Sequence, residues 1–206
     1  MLDSAKFFGV YMNNQIDNKS YDAVPYESYP YPQSCPEHLK TIGTLFGMKP
    51  PALETARVLE LGCAAGGNLM PFASNYPKSH CVGVDLSPVQ IKDGNELLKH
   101  TNIKNLELKC MSITDIDESM GKFDYIITHG VFSWVPDFVR DKMLDICGKM
   151  LTENGMAYIS YNTLPGWNMV RSLRDMMLYH SAGFESDQEK VNQSRLLLEF
   201  IKDSTE

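Results

Sequence analysis

From Arg57 onward, apolar and polar positions fall into short blocks that alternate between two periods. RVLELG reads as a short apolar strand, followed by a helix over 66–74. HCVGVDL is a second strand. Ser87 caps the next helix, with Pro88 at its first position and Gln90 at its third, and this helix runs to about His100. LELKC is a third strand. FDYIITHG is a fourth, almost continuously apolar, as expected of a parallel strand covered on both faces. An amphipathic helix over 136–151, a fifth strand GMAYISYN, and helices over 167–180 and 188–202 complete the pattern. Strands alternating with helices at this spacing predict an α/β fold with a doubly wound parallel sheet of about five strands.

The residues before Arg57 behave differently. Residues 1–20 are weakly patterned, with one short helix expected near Ala5–Asn14. The segment YDAVPYESYPYPQSCP carries four tyrosines and four prolines. Proline excludes a regular helix and biases each preceding residue toward extended backbone, so the segment reads as an aromatic strap. Covering apolar surface and serving a binding site are both open to it. A helix then starts, with Ser34 as its cap, Pro36 in its first turn and Glu37 completing a capping box. It ends near Phe46, before Gly47. The expected organisation is a strap and helix over 1–54, a core over 55–165, and C-terminal helices over 166–206.

Length and composition narrow the function classes. The chain has 206 residues, enough for one domain with a real core. A formal net charge of -7 argues against sequence-independent nucleic-acid binding and against anionic membrane surfaces, both of which need clustered Lys and Arg. The five cysteines are odd in number and form no C-x-x-C pair, so free thiols in a reducing compartment are expected, with no metal. The apolar runs are too short to span a membrane, and no secretory leader is read, which makes cytoplasm the expected location.

In doubly wound sheets, ligands bind beyond the carboxyl ends of the strands, so the residues that matter follow each strand. After the first comes E-L-G-C-A-A-G-G-N. Gly62 and Gly66 let the backbone turn and approach a ligand closely, and the helix that follows aims free N–H groups at it. A nicotinamide loop reads G-x-G-x-x-G. Here the spacing is G-x-x-x-G, with Glu60 two residues ahead. That acid is poorly suited to a pyrophosphate. It suits a cofactor with an ammonium, a carboxylate and a sulfonium, namely S-adenosylmethionine. Glu60 then meets the amino group or braces the loop. Alone, the loop reads equally well as a structural turn. After the second strand, Asp85 lies 23 residues beyond Gly62, where a carboxylate accepts both hydroxyls of a ribose. That spacing fits nicotinamide and adenosylmethionine cofactors alike. After the fourth strand stand His129 and Gly130. A satisfied, partly buried histidine is as good a reading of His129 as a catalytic one. Phe132 and Trp134 read as pocket or core lining.

VLELGCAAGGN, VGVDLS, FDYIITHGVFSWVP and the fifth strand, taken in order, resemble the motifs of class I S-adenosylmethionine-dependent methyltransferases over roughly residues 55–165. YDAVPYESYPYPQSCPEHLKTIGTLFGMKPP and YNTLPGW extend the likeness to bacterial, rickettsial-type protein lysine methyltransferases that carry a downstream regulatory domain. The resemblance implies a Rossmann-like sheet in the order 3-2-1-4-5 and a product, S-adenosylhomocysteine. It implies that Glu60, Gly62, Cys63 and Gly66 form the loop at the methionine end. Asp85 then holds the ribose, with Leu86 against the adenine, Ser112 and Ile113 at the adenine edge, and His129 and Gly130 closing the methionine side. The resemblance lays the strap, especially Tyr26 and Tyr29, over the cofactor or the substrate mouth. Apart from the resemblance, Tyr26, Tyr29, Tyr31, Phe132 and Trp134 read as aromatic walls for an acceptor amine, and Asn162, just past the fifth strand, as a residue to hold a polar acceptor. Two positions depart from the usual pattern: many class I enzymes have an acid at Ser112 and a glycine at Ala64.

The class I sheet normally ends with two more strands, the last antiparallel. After Tyr161 only helical patterning is found, and the sequence stops within a charged helix. The expectation is a piece of a longer protein whose missing C-terminal part contributes to substrate binding. The methyl acceptor is a protein or a small molecule, a lysine side chain being the one the resemblance implies. A small-molecule methyltransferase and a non-catalytic cofactor-binding module are the alternatives. No catalytic side chain is assigned.

Overall fold

A computed structural model describes residues 27–204. The helix expected near Ala5–Asn14 lies outside them. The described residues divide into two compact units, 27–161 and 162–204.

The first unit is built on five parallel strands: β1 (Arg57–Leu61), β2 (His80–Asp85), β3 (Leu106–Cys110), β4 (Phe123–Thr128) and β5 (Leu151–Ile159). Their order is β3-β2-β1-β4-β5, as expected. Arg57 to Leu61 pair in step with His80 to Val84, and Cys81 to Asp85 with Leu106 to Cys110, so the strands end along one edge. The direction of winding reverses between β1 and β4. Side chains alternate across the sheet with period two. Val58, Cys81, Leu108, Tyr125 and Ile127 face α1 (Pro36–Leu45), α2 (Leu69–Asn75) and α3 (Pro88–Lys99) through Leu39, Leu69, Phe72 and Ile91. Leu59, Leu61, Val82, Val84 and Ile126 face the other way, onto Val139, Met143, Ile146 and Met150 of α4 (Asp137–Met150). Each such buried side chain contributes about 2 kcal/mol, and helices on both faces explain the nearly unbroken apolar runs of β1, β2 and β4.

Ser87 caps α3 as expected, its Oγ accepting the Gln90 N–H at 3.1 Å. Three local expectations need correction. Ser34 does not cap α1. It lies in a 3-10 turn, Pro32–Ser34, where its hydroxyl donates to the Tyr31 carbonyl at 3.0 Å, and Cys35 takes the cap position without a side-chain bond. The helix expected over 66–74 starts later, at Leu69, because Gly66 holds φ at +80°. β5 starts at Leu151 rather than Gly155, with an irregular register opposite Phe123 and Tyr125.

The second unit consists of α5 (Asn168–Ser181) and α6 (Asp187–Asp203), which pack against each other. Among the described residues no strand follows β5, and no helix is long and apolar enough to cross a membrane.

Candidate functional site

The loop after β1 is held by its neighbour. The N–H groups of Gly62 and Cys63 both donate to the Val84 carbonyl, at 2.8 and 3.0 Å, and the Gly66 N–H closes the turn on the Cys63 carbonyl at 2.8 Å. Gly62 and Gly66 have φ of +76° and +80°, the left-handed region that glycine occupies at no steric cost. Ala64, at φ +49°, occupies it with a side chain. Its N–H is captured by Asp85 Oδ2 at 2.8 Å, while Oδ1 accepts the Ser87 N–H at 2.9 Å. Asp85 therefore braces the loops after β1 and β2 at once. Cys63 is buried, its Sγ lying against Gly83, and burial holds its thiol well above the usual thiol range.

Glu60 is a carboxyl group only 3% exposed on β1. Asn68 Nδ2 donates to its Oε1 at 2.7 Å, and Oε2 has no hydrogen-bond partner among the described residues. Burial pushes its pKa up to about 8, against the pull of the Asn68 bond and with a further push from Asp85.

At the reversal between β1 and β4, a side chain on Gly62 would overlap Val131 Cγ2, so the loops after these strands meet there. His129 is half-buried, and burial holds its pKa below the ordinary imidazole value. The Tyr31 ring lies 4.0 Å from it between centroids, and the Tyr158 hydroxyl is 3.4 Å from Nδ1. The Gly130 N–H donates to Ser160 Oγ at 2.7 Å. Phe132 pairs with Tyr161, ring centroids 6.1 Å apart, and the Arg140 guanidinium sits over the Phe132 ring at 5.8 Å. Ser112 opens a short 3-10 turn over Ile113–Asp115, accepting the Thr114 N–H at 3.2 Å, and Leu86 and Ile113 are both half-buried.

The structure thus brings Glu60, Gly62, Cys63, Gly66 and Asp85 together around one loop, with His129 and Gly130 following β4, the neighbour of β1. Of the two strap tyrosines among the described residues, Tyr31 is the one on His129. Tyr29 is 56% exposed and donates its hydroxyl to Glu27, and Tyr26 lies outside the described residues. Trp134 is 41% exposed in a 3-10 turn, and Asn162 begins the second unit. Sequence reasoning missed Asn68, whose only trace is an amide residue ending the glycine run. No group of residues suited to a metal occurs among the described residues.

A family model described as "Methyltransferase domain" matches residues 58–155. The chain is 54% identical to the uncharacterised protein RP028 of Rickettsia prowazekii (strain Madrid E), over 95% of this chain and 78% of that one. It is 60% identical to RP789 of the same organism, over 92% of this chain and 34% of that one. The structure of PKMT2 from Rickettsia typhi in complex with AdoHcy superposes with a TM-score of 0.78 at 53% identity, covering 87% of this chain and 35% of that one. The chain therefore spans about a third of the length of RP789 and of PKMT2. Fold, loop geometry and these likenesses agree: the chain belongs to the class I S-adenosylmethionine-dependent methyltransferases, in the group that includes these rickettsial proteins.

Proposed function

We propose that the Glu60–Asp85 loop system holds S-adenosylmethionine and that the methyl acceptor is the side-chain amine of a protein lysine. The observation that carries the cofactor reading is the buried Oε2 of Glu60, which lacks a partner among the described residues. A buried carboxyl group of this kind is stabilised by a cation, and the cofactor's ammonium supplies one. A pyrophosphate there would meet like charge. Asp85 would take the ribose hydroxyls alongside the backbone N–H groups it already accepts. Leu86, Ser112 and Ile113 would flank the adenine, and Cys63, Gly66, His129 and Gly130 would enclose the methionine end.

The cofactor supplies a methyl group carried on a sulfonium. The chain's own task is to hold the acceptor in line with it and keep water out. A lysine must arrive without its proton, and at pH 7 only about one in 2,500 is neutral at the reference pKa of about 10.4. Apolar and aromatic surroundings disfavour the ammonium form, and Tyr31, Phe132 and Tyr161 provide them near the β4 loop. Burial of His129 disfavours its charged form, so it works against adding positive charge beside the incoming amine. Trp134, in the same 3-10 turn as Phe132, is a further substrate-side candidate. The lysine reading is supported by the 53% identity to PKMT2.

The test supplies methyl-labelled cofactor with a bacterial protein extract and, separately, a metabolite pool. Label on protein lysines is expected. Label on a small metabolite alone would overturn the acceptor, and tight binding without transfer to anything would make the chain a cofactor-binding module.

A further inference from the structure

The two glycines that end the loop serve different neighbours. A side chain on Gly66 would run into Leu108, within the sheet's own packing. A side chain on Gly67 would run into the backbone carbonyl of Ser28. The second glycine is therefore needed by the strap. Ser28 Oγ accepts the Gly67 N–H at 2.9 Å, and Asn68 Nδ2 donates to Ser34 Oγ at 3.1 Å. Between these points the strap reads Pro30-Tyr31-Pro32. Proline has no N–H, so Tyr31 carries the only amide donor of the three. Asn68 Oδ1 accepts it at 2.8 Å. The same side-chain amide donates to Glu60 Oε1. An amide presents its donor and acceptor on opposite prongs, so turning Nδ2 toward Glu60 turns Oδ1 toward Tyr31.

We propose that Asn68 is a positioning residue that latches segment 28–34 onto the methionine end of the site and ties that docking to what occupies Glu60. This rests on the reading of the site as an adenosylmethionine site. With a cation opposite Oε2, Glu60 is ionised and its bond from Asn68 is charge-assisted, which fixes the amide and holds the Tyr31 N–H. With no cation, burial favours the protonated carboxyl, a weaker acceptor, and the latch loosens. The Tyr31 ring then loses its fixed place on His129.

Tyr31 has the single exchangeable backbone amide in its tripeptide, so its hydrogen exchange reports on the latch alone. In the unsubstituted chain, saturating S-adenosylhomocysteine should slow that exchange about tenfold or more. Asn68→Ala should bind S-adenosylhomocysteine about tenfold more weakly, the scale of one charge-assisted bond, and Tyr31 should exchange at the same rate with and without it. If Asn68→Ala does not fold, Gly67→Ala carries the test. Its new Cβ pushes on the Ser28 backbone and leaves the Asn68–Glu60 bond in place, so Tyr31 should exchange fast whether or not ligand is bound. Unchanged Tyr31 exchange on ligand binding in the unsubstituted chain overturns the latch, as does full ligand-induced slowing in either variant. Failure of the unsubstituted chain to bind S-adenosylhomocysteine by calorimetry overturns the site reading, and the latch with it.

Discussion

Asp85 Oδ2 accepts the N–H of Ala64 at 2.8 Å, so the last residue of β2 carries the loop that follows β1. Asp85→Asn keeps one carbonyl oxygen in place of two carboxylate oxygens, and either Ala64 or Ser87 then faces an NH2 group. A loss of about 1–3 kcal/mol in urea unfolding is expected. Binding of S-adenosylhomocysteine should fall by more than about tenfold, since the loop's brace and the proposed ribose acceptor are lost together. Unaltered affinity by calorimetry would remove Asp85 from the site.

Glu60 makes stability depend on pH. Its pKa stands near 8 in the folded chain against 4.5 for an unburied glutamate. Between those values the folded state keeps a proton that the unfolded state gives up, so this group lowers stability as pH rises through the window. Glu60→Gln removes the effect. Its advantage over the parent should be near zero at pH 4.5 and grow toward pH 8, on the order of a few kcal/mol at most. Urea midpoints at the two ends of the window measure it, and a difference independent of pH would count against the assignment. Cofactor binding below pH 8 should also release a proton, visible as a buffer-dependent heat.

Two glycines separate backbone strain from crowding. Gly130 has φ of +71°, and a Cβ there would meet nothing within 4 Å, whereas a Cβ on Gly62, at φ +76°, would overlap Val131. Gly130→Ala should cost about 1–2 kcal/mol, the left-handed penalty alone. Gly62→Ala should cost about 1–3 kcal/mol more, because Val131 must also move. Thermal unfolding of the pair gives the difference directly.

The thiols should divide by burial. Cys110 is exposed, while Cys63 and Cys81 are buried, and burial pushes Cys81 up to about 11. Iodoacetamide at neutral pH should modify Cys110 first and leave Cys63 and Cys81 until the chain unfolds, as read by peptide mass.

Much of this was legible because period and punctuation coincide in the core. The runs of β1, β2 and β4 are nearly all apolar apart from their polar ends and Glu60, Ser87-Pro88 marks one helix start without ambiguity, and the acid ending β2 follows the glycine loop at a spacing set by one helix–strand unit. The strap was harder. Ser34, three residues before Glu37, satisfies a capping pattern, yet the Tyr31 carbonyl takes its hydroxyl, a contact set by the turn at Pro32. Choosing Tyr31 over Tyr29 required knowing which ring reaches β4, and both sit in the same Tyr-Pro pattern. Asn68 was invisible for a related reason. Its partners, Glu60, Tyr31 and Ser34, lie 8, 37 and 34 residues away, and side-chain amides leave no periodic trace.

The doubled bond at Val84 has a thermodynamic consequence. One carbonyl receives two successive N–H groups, and the next amide belongs to Asp85, so the loop after β1 is shaped by β2 whether or not a ligand is present. Folding has already removed that loop's conformational freedom, and binding has little left to order there. On the proposed site, the entropy change measured on binding should therefore come from the ligand, its water and segment 28–34, and only slightly from the glycine turn.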